Sequence, residues 1–247
     1  MEILTKTDKV FESTDSCLGC GITLGLKLIL QSVENLKNTV LVVSAGEIAE
    51  LEKSRLCVNV VKSENPAATA AGLAKARPDL NVIVYAGDGV TFSTLSTVLS
   101  LEANVTYVCC NNSLNSGRIR EFAPLVRNAA YSATASVSYY EDFISKLGKS
   151  FSKTGTKFID LLAPCPARWG FEPSNTIEIG RMTTESYLWP LYEIESKQVT
   201  VTKTPPHNEA VKRLLEVLGT ALPEEKERDL QDYANKKWKA LNDGKLI

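Results

Sequence analysis

Apolar residues recur in short runs separated by polar turns, and from residue 20 to about 165 the runs alternate between helical and strand periods. Gly21 to Val33 has apolar residues at 22, 24, 26, 28, 29, 30 and 33, which reads as a buried helix. Thr39-Val-Leu-Val-Val43 reads as a buried strand and Cys57-Val-Asn-Val-Val61 as a short one. Asn65-Pro66 offers an N-cap followed by proline at the first helical position, so a small-residue helix is expected over Ala67 to Arg77, stopped by Pro78. A strand over 81–86, a helix over about 93–103 and a strand over 105–110 follow. The stretch from Asn111 to about Tyr140 reads as a polar loop. A helix around 141–151 and a strand over Lys157–Leu162 complete the alternation.

This succession predicts an α/β fold: a mostly parallel sheet with helices on both faces. After Cys165 the pattern changes, because Pro166, Pro173 and Pro190 break the chain into extended pieces and turns. The last forty residues read as charged and helical, with Leu230, Tyr233, Ala234, Trp238 and Leu241 on one face of a final helix. The expected organisation is one domain over 1–200 and a helical extension over 201–247 that packs on it or on a partner.

Composition narrows the function classes. The 247 residues are 44% hydrophobic and 23% charged, as in an ordinary globular protein. A net charge of −1 leaves no electrostatic footprint for nucleic acid. No apolar run approaches the roughly 20 residues of a membrane span. The N-terminal residues lack the apolar core of a signal peptide, so a cytoplasmic location is expected. The six cysteines are then not expected to form a disulfide framework. Cys109 and Cys110 fall in an apolar strand and read as core, whereas Cys17-Leu-Gly-Cys20 has a spacing that lets two thiolates reach one metal.

The densest candidate chemistry lies at the ends of two successive strands. The first runs into Gly87-Asp88-Gly89 and the second ends in Asn111-Asn112. Gly-Asp-Gly alone is a common turn, and Asn-Asn after a strand is an ordinary one. In a strand-helix-strand context both fall where open α/β sheets bind ligands. Asp and Asn supply the hard oxygen donors that Mg²⁺ prefers, and glycines let backbone approach a diphosphate.

Taken in order, Cys17-Leu-Gly-Cys20-Gly21, Asn65-Pro-Ala-Ala-Thr-Ala-Ala-Gly72, Gly87-Asp88-Gly89, Asn111-Asn112 with Asn115-Ser116-Gly117, Ala163-Pro-Cys165-Pro166 and Trp189-Pro-Leu-Tyr-Glu-Ile-Glu195 carry a resemblance. The chain resembles the β subunit of the pyruvate (2-oxoacid):ferredoxin oxidoreductases over nearly its whole length. The resemblance implies a thiamine diphosphate-binding fold and oxidative decarboxylation of a 2-oxoacid. It implies an acyl group passed to coenzyme A and electrons passed through iron–sulfur clusters to ferredoxin. By it, Asp88 and Asn112 ligate Mg²⁺. Gly87, Gly89 and the backbone near Gly19, Cys20 and Gly21 cradle the diphosphate, and Asn115 lies near the reacting 2-oxoacid. Implied partners are an α subunit that supplies the activating carboxylate, and ferredoxin-like γ and δ subunits.

The cysteines depart from the family pattern. Cys17, Cys20 and Cys165 match three ligands of a [4Fe–4S] cluster, which normally takes four thiolates. Where the family has its other cysteine this chain reads Val43-Ser-Ala-Gly46-Glu47. A carboxylate from Glu47 is a hard ligand for a soft cluster, and Cys57 is the other substitute. A cluster with one unusual ligand, a three-cysteine cluster, zinc or no metal all remain open at this point. So do two functional alternatives to the oxidoreductase: a non-redox structural or regulatory paralogue, and a thiamine diphosphate-dependent decarboxylase half without a cluster. His207 reads as a surface residue, and Arg118 and Arg120 as solvated or phosphate-facing.

Overall fold

The computed structural model describes residues 16–44, 58–114, 119–126, 129–205 and 210–246. Glu47, Cys57, Asn115, Arg118 and His207 lie outside them. The first described helix, α1 (Gly21–Ser32), buries Leu26, Ile29 and Leu30 completely or nearly so. Strand β1 (Thr39–Ser44) follows, then β2 (Asn59–Ser63), helix α2 (Pro66–Ala76) and β3 (Asn81–Gly87). In α2 the Asn65 side chain accepts from the Ala68 N–H at 3.2 Å, and fully buried Ala67 and Ala70 let the helix lie close on the sheet. Next come the short helices α3 (Asp88–Ser93) and α4 (Leu95–Leu99), strand β4 (Val105–Asn111) and β5 (Tyr131–Ser136). Helix α5 (Tyr140–Phe151) and β6 (Thr156–Leu162) complete the parallel portion.

The eight-stranded sheet has the order β2-β1-β3-β4-β6-β5, with β7 (Leu191–Glu195) and β8 (Gln198–Lys203) added beyond β5. Strands β1 to β6 are mutually parallel, and β7 is antiparallel to β5 and to β8. The expected mostly parallel α/β sheet is therefore the observed one. Its central strands are buried on both faces, which explains their continuous apolar sequence. One apolar cluster joins α1 and α5 to the sheet, a second joins it to α2 and α4, and two more lie toward the C-terminal part, around Trp189 and Leu214 and around Tyr192 and Leu241.

Four expectations change. The polar stretch before residue 140 contains β5, a fully buried strand of small residues. Its hydroxyls are satisfied internally: Ser132 Oγ donates to Ala123 O at 2.9 Å and Thr134 Oγ1 to Pro190 O at 2.7 Å. The extended pieces after Cys165 include the β7–β8 hairpin, whose turn places Ser196 and Lys197 at φ 51° and 66° without a glycine. The helix expected at 93–103 begins at Asp88, where Thr91 Oγ1 donates to Gly87 O at 2.8 Å, and it breaks at Thr94. Among the described residues the second strand spans Asn59–Ser63, running past the expected end at Val61.

Four further α-helices follow among the described residues: α6 (Pro166–Trp169), α7 (Thr176–Glu185), α8 (Val211–Val217) and the long α9 (Glu224–Asn242). The expected boundary at residue 200 falls inside β8. Helix α9 buries Leu230, Ala234 and Leu241, but Tyr233 is 40% exposed and Lys237 takes a place on the buried face. Trp238 stacks on Tyr187 with ring centroids 4.5 Å apart.

Candidate active site

Strand register brings the two oxygen donors of the sequence motif to one end of the sheet. Gly87 pairs with Cys110 across β3 and β4, so Asp88 and Asn111-Asn112 emerge from neighbouring strands at their carboxyl ends. The same edge lies beside the point where the chain, having laid β2 on one side of β1, returns to lay β3 on the other. That reversal leaves the crevice in which open α/β sheets bind ligands. Asp88 is only 6% exposed, and no ion pair to it occurs among the described residues. At the end of β1, the Ser44 hydroxyl is buried with no hydrogen-bond partner among the described residues. A buried carboxylate without a counter-ion and an orphaned hydroxyl at one strand edge fit a site that takes a cation and a polar ligand.

Gly87 and Gly89 serve here as a strand-to-helix junction, with Gly87 at φ −72° and Gly89 inside α3. Asn112 is held from the other side by α6. Its backbone oxygen accepts from Trp169 Nε1 at 2.7 Å and its Oδ1 from Arg168 Nη1 at 3.1 Å. An amide oxygen has two lone pairs, so the Arg168 contact leaves Asn112 able to ligate a cation.

Behind these residues lies a polar core the sequence motifs did not single out. Asp160 on β6 is fully buried and accepts from Phe122 N at 2.5 Å, Ala123 N at 3.3 Å and Asn111 Nδ2 at 3.1 Å. Burial pushes its carboxyl up to about 7, against the pull of these hydrogen bonds, and the Asp88 charge works in the same upward direction. A lone carboxylate inside Lys157-Phe-Ile-Asp160-Leu-Leu162 was a readable sign of such a role. Burial likewise pushes the Cys109 thiol up, in keeping with an inert core residue.

The cysteine turn occupies a second corner. Cys20 N donates to Cys17 O at 3.2 Å, with Gly19 at φ +68°. Thr176 Oγ1 donates to Gly19 O at 2.7 Å. A Cβ on Gly21 would lie 2.6 Å from Pro164 O, so this glycine is needed where the turn meets the segment before Cys165. Cys17 is exposed, while Cys20 and Cys165 are half-buried. Among the described residues no three Cys, His, Asp or Glu side chains are grouped as a metal set, and both candidates for a fourth ligand, Glu47 and Cys57, lie outside the described residues. The two corners are joined at Tyr85, whose hydroxyl donates to Ile22 O at 2.6 Å in the first turn of α1. That turn carries no carboxylate, which leaves the positive end of the helix open to an anion such as a diphosphate.

Residues 62–117, which include both Asp88 and Asn112, match the model of the C-terminal TPP-binding domain of thiamine pyrophosphate enzymes. The pyruvate synthase subunit PorB of Methanothermobacter thermautotrophicus is 33% identical, over 89% of this chain and 92% of its own length. The chain belongs to the β subunits of the 2-oxoacid:ferredoxin oxidoreductases. The ketoisovalerate oxidoreductase subunit VorB of Pyrococcus furiosus is 26% identical over 92% of the chain and 90% of its own length. A solved 2-oxoglutarate:ferredoxin oxidoreductase from Magnetococcus marinus shares the fold, with a TM-score of 0.56 at 17% identity over 88% of this chain and 91% of that one. This β subunit thus carries a thiamine diphosphate domain and is part of an enzyme. No helix among its described residues is long and apolar enough to cross a membrane.

Proposed function

We propose that this β subunit holds the Mg²⁺–diphosphate half of an active site whose other half comes from an α partner, in a cytoplasmic complex that oxidatively decarboxylates a 2-oxoacid. The observation that carries this is the β3–β4 register, with buried Asp88, which has no ion pair among the described residues, beside the Asn111-Asn112 strand end. Asp88 and Asn112 ligate Mg²⁺, and the backbone at Gly87, Gly89 and Gly19-Cys20-Gly21 approaches the diphosphate. Asn115, outside the described residues, is the residue assigned by family resemblance to the neighbourhood of the reacting 2-oxoacid. Bound thiamine diphosphate supplies a nucleophilic carbon and an electron sink for loss of carbon dioxide. What the chain contributes is binding and orientation: Asp88 offsets the charge of the dication, and the positive end of α1 offsets that of the diphosphate.

The relatives are named as subunits, which supports a multi-chain enzyme. In this reading ferredoxin-like γ and δ chains carry electrons to ferredoxin and coenzyme A accepts the acyl group. The Magnetococcus marinus enzyme, with 2-oxoglutarate, coenzyme A and succinyl-CoA bound, supports that chemistry for the fold. Cys17, Cys20 and Cys165 supply three thiolates toward the four of a [4Fe–4S] cluster, and iron and sulfide analysis of anaerobically prepared complex tests whether a fourth ligand completes it.

The test of the cofactor site is calorimetric. Thiamine diphosphate titrated with Mg²⁺ into the complex of this chain with its α partner binds to wild type. Asp88→Ala abolishes the Mg²⁺-dependent binding and Asn112→Ala weakens it. Binding indifferent to Asp88→Ala sinks the assignment.

A further inference from the structure

The segment that returns from the Asn-rich loop into the core is gripped by residues from four strands. Arg120 O accepts from Asn111 Nδ2 at 2.6 Å on β4. The backbone N–H groups of Phe122 and Ala123 both donate to Asp160 Oδ2 on β6, and Ala123 O accepts from Ser132 Oγ on β5. Glu121 accepts from Tyr192 Oη on β7 at 3.0 Å and contacts the buried ammonium of Lys237 on α9. Asp160 is the centre of this arrangement, because its second oxygen also accepts from Asn111 Nδ2 at 3.1 Å. One carboxylate thus ties the strand end just before Asn112 to the strap that follows the loop.

Asp160 has no ion pair among the described residues, although it is fully buried. Three donors, Phe122 N–H, Ala123 N–H and Asn111 Nδ2, offset part of the cost of burying a carboxylate that has no counter-ion there. A cost of that kind is accepted where a group orients metal ligands, and the residues that hold ligands in place have measurable effects on metal affinity.

Resting on the proposed Mg²⁺ site, we propose that Asp160 is a positioning residue for it: by fixing Asn111 and the Arg120–Ala123 strap, it keeps Asn112 in register with Asp88. It touches neither cofactor nor substrate. Asp160→Asn keeps the size but points an amide N–H₂ at a donor, either Asn111 Nδ2 or the Phe122 N–H. The alternative is that Asp160 only stabilises the fold. Mg²⁺ affinity in the folded protein separates the two.

The experiment measures Mg²⁺ affinity in the presence of thiamine diphosphate, denaturation midpoint, and kcat at saturating Mg²⁺, all on the complex with the α partner. Wild type, Asp88→Ala, Asp160→Asn, Asn111→Ser and Leu147→Ala are compared, the last being a core truncation on α5 that serves as the control for lost stability. Asp160→Asn and Asn111→Ser weaken Mg²⁺ binding by about 10- to 100-fold, and saturating Mg²⁺ restores most of kcat. Leu147→Ala lowers the midpoint with Mg²⁺ affinity unchanged. Should Asp160→Asn fail to fold, Asn111→Ser carries the test alone, because it leaves both backbone donors on Asp160. Asp88-dependent binding that Asp160→Asn and Asn111→Ser leave intact overturns the positioning role only. Wild-type binding that is absent, or indifferent to Asp88→Ala, overturns the Mg²⁺ site and the positioning role together.

Discussion

The oxygen-donor corner and the cysteine corner of this β subunit are assembled in different ways. Asp88 and Asn112 follow strands that pair directly, so backbone hydrogen bonds set their relative position within one continuous sheet. Cys17 and Cys20 sit on a turn before α1, and Cys165 caps the short helix α6 beyond β6. The approach of these two segments depends on loop contacts such as Gly21 against Pro164. A site built on strand register survives local changes, whereas one built on loop contacts shifts with each of them.

Several measurements break or sharpen this contrast. The largest effect is expected from pH at the oxygen-donor corner. Asp160 has its folded-state carboxyl raised from 3.8 to about 7, so the unfolded chain gives up that proton first. Its contribution to stability is present below about pH 4 and is lost as pH rises towards 7, a change of up to about 4 kcal/mol. Urea denaturation midpoints across that range are predicted to fall, and Asp160→Asn removes that component of the slope. At the cysteine corner, Gly21→Ala drives a Cβ into Pro164 O and is predicted to cost about 1–3 kcal/mol by overpacking. The change parts the cysteine segments but leaves the β3–β4 pairing in place. An unchanged denaturation midpoint would show that the two segments do not rely on that approach.

Tyr85→Phe cuts the bond between the corners, the hydroxyl on Ile22 O. About 1 kcal/mol is expected, with faster hydrogen exchange in the first turn of α1 as the local sign. The smallest effect belongs to exposed Cys17, where Ser changes thermal stability by less than about 0.5 kcal/mol. If metal analysis of Cys17→Ser then shows lost iron or zinc, the thiolate serves a metal and not the fold.

Much of the oxygen-donor corner was legible in the sequence because its strands are buried on both faces and read as unbroken apolar runs. Strand β5 was not, since Ser132, Thr134 and Ser136 look like loop residues until their internal partners are seen. The β7–β8 turn escaped because Ser196 and Lys197 adopt positive φ without glycine. Lys237 interrupts the apolar stripe of α9 in sequence, yet Glu121 and Leu188 O receive its ammonium in the core. For Asp160 the carboxylate is visible in the strand, but its partners are backbone N–H groups of Phe122 and Ala123, which carry no signature in the chain.

The most direct test of the oxygen-donor corner replaces Mg²⁺ with Mn²⁺ and follows bound Mn²⁺ by electron paramagnetic resonance with thiamine diphosphate present. Wild-type complex and Cys20→Ser are predicted to hold Mn²⁺ equally, and Asp88→Ala to hold none. Retention of Mn²⁺ by Asp88→Ala, or its loss in Cys20→Ser alone, contradicts a cation site formed by Asp88 and Asn112.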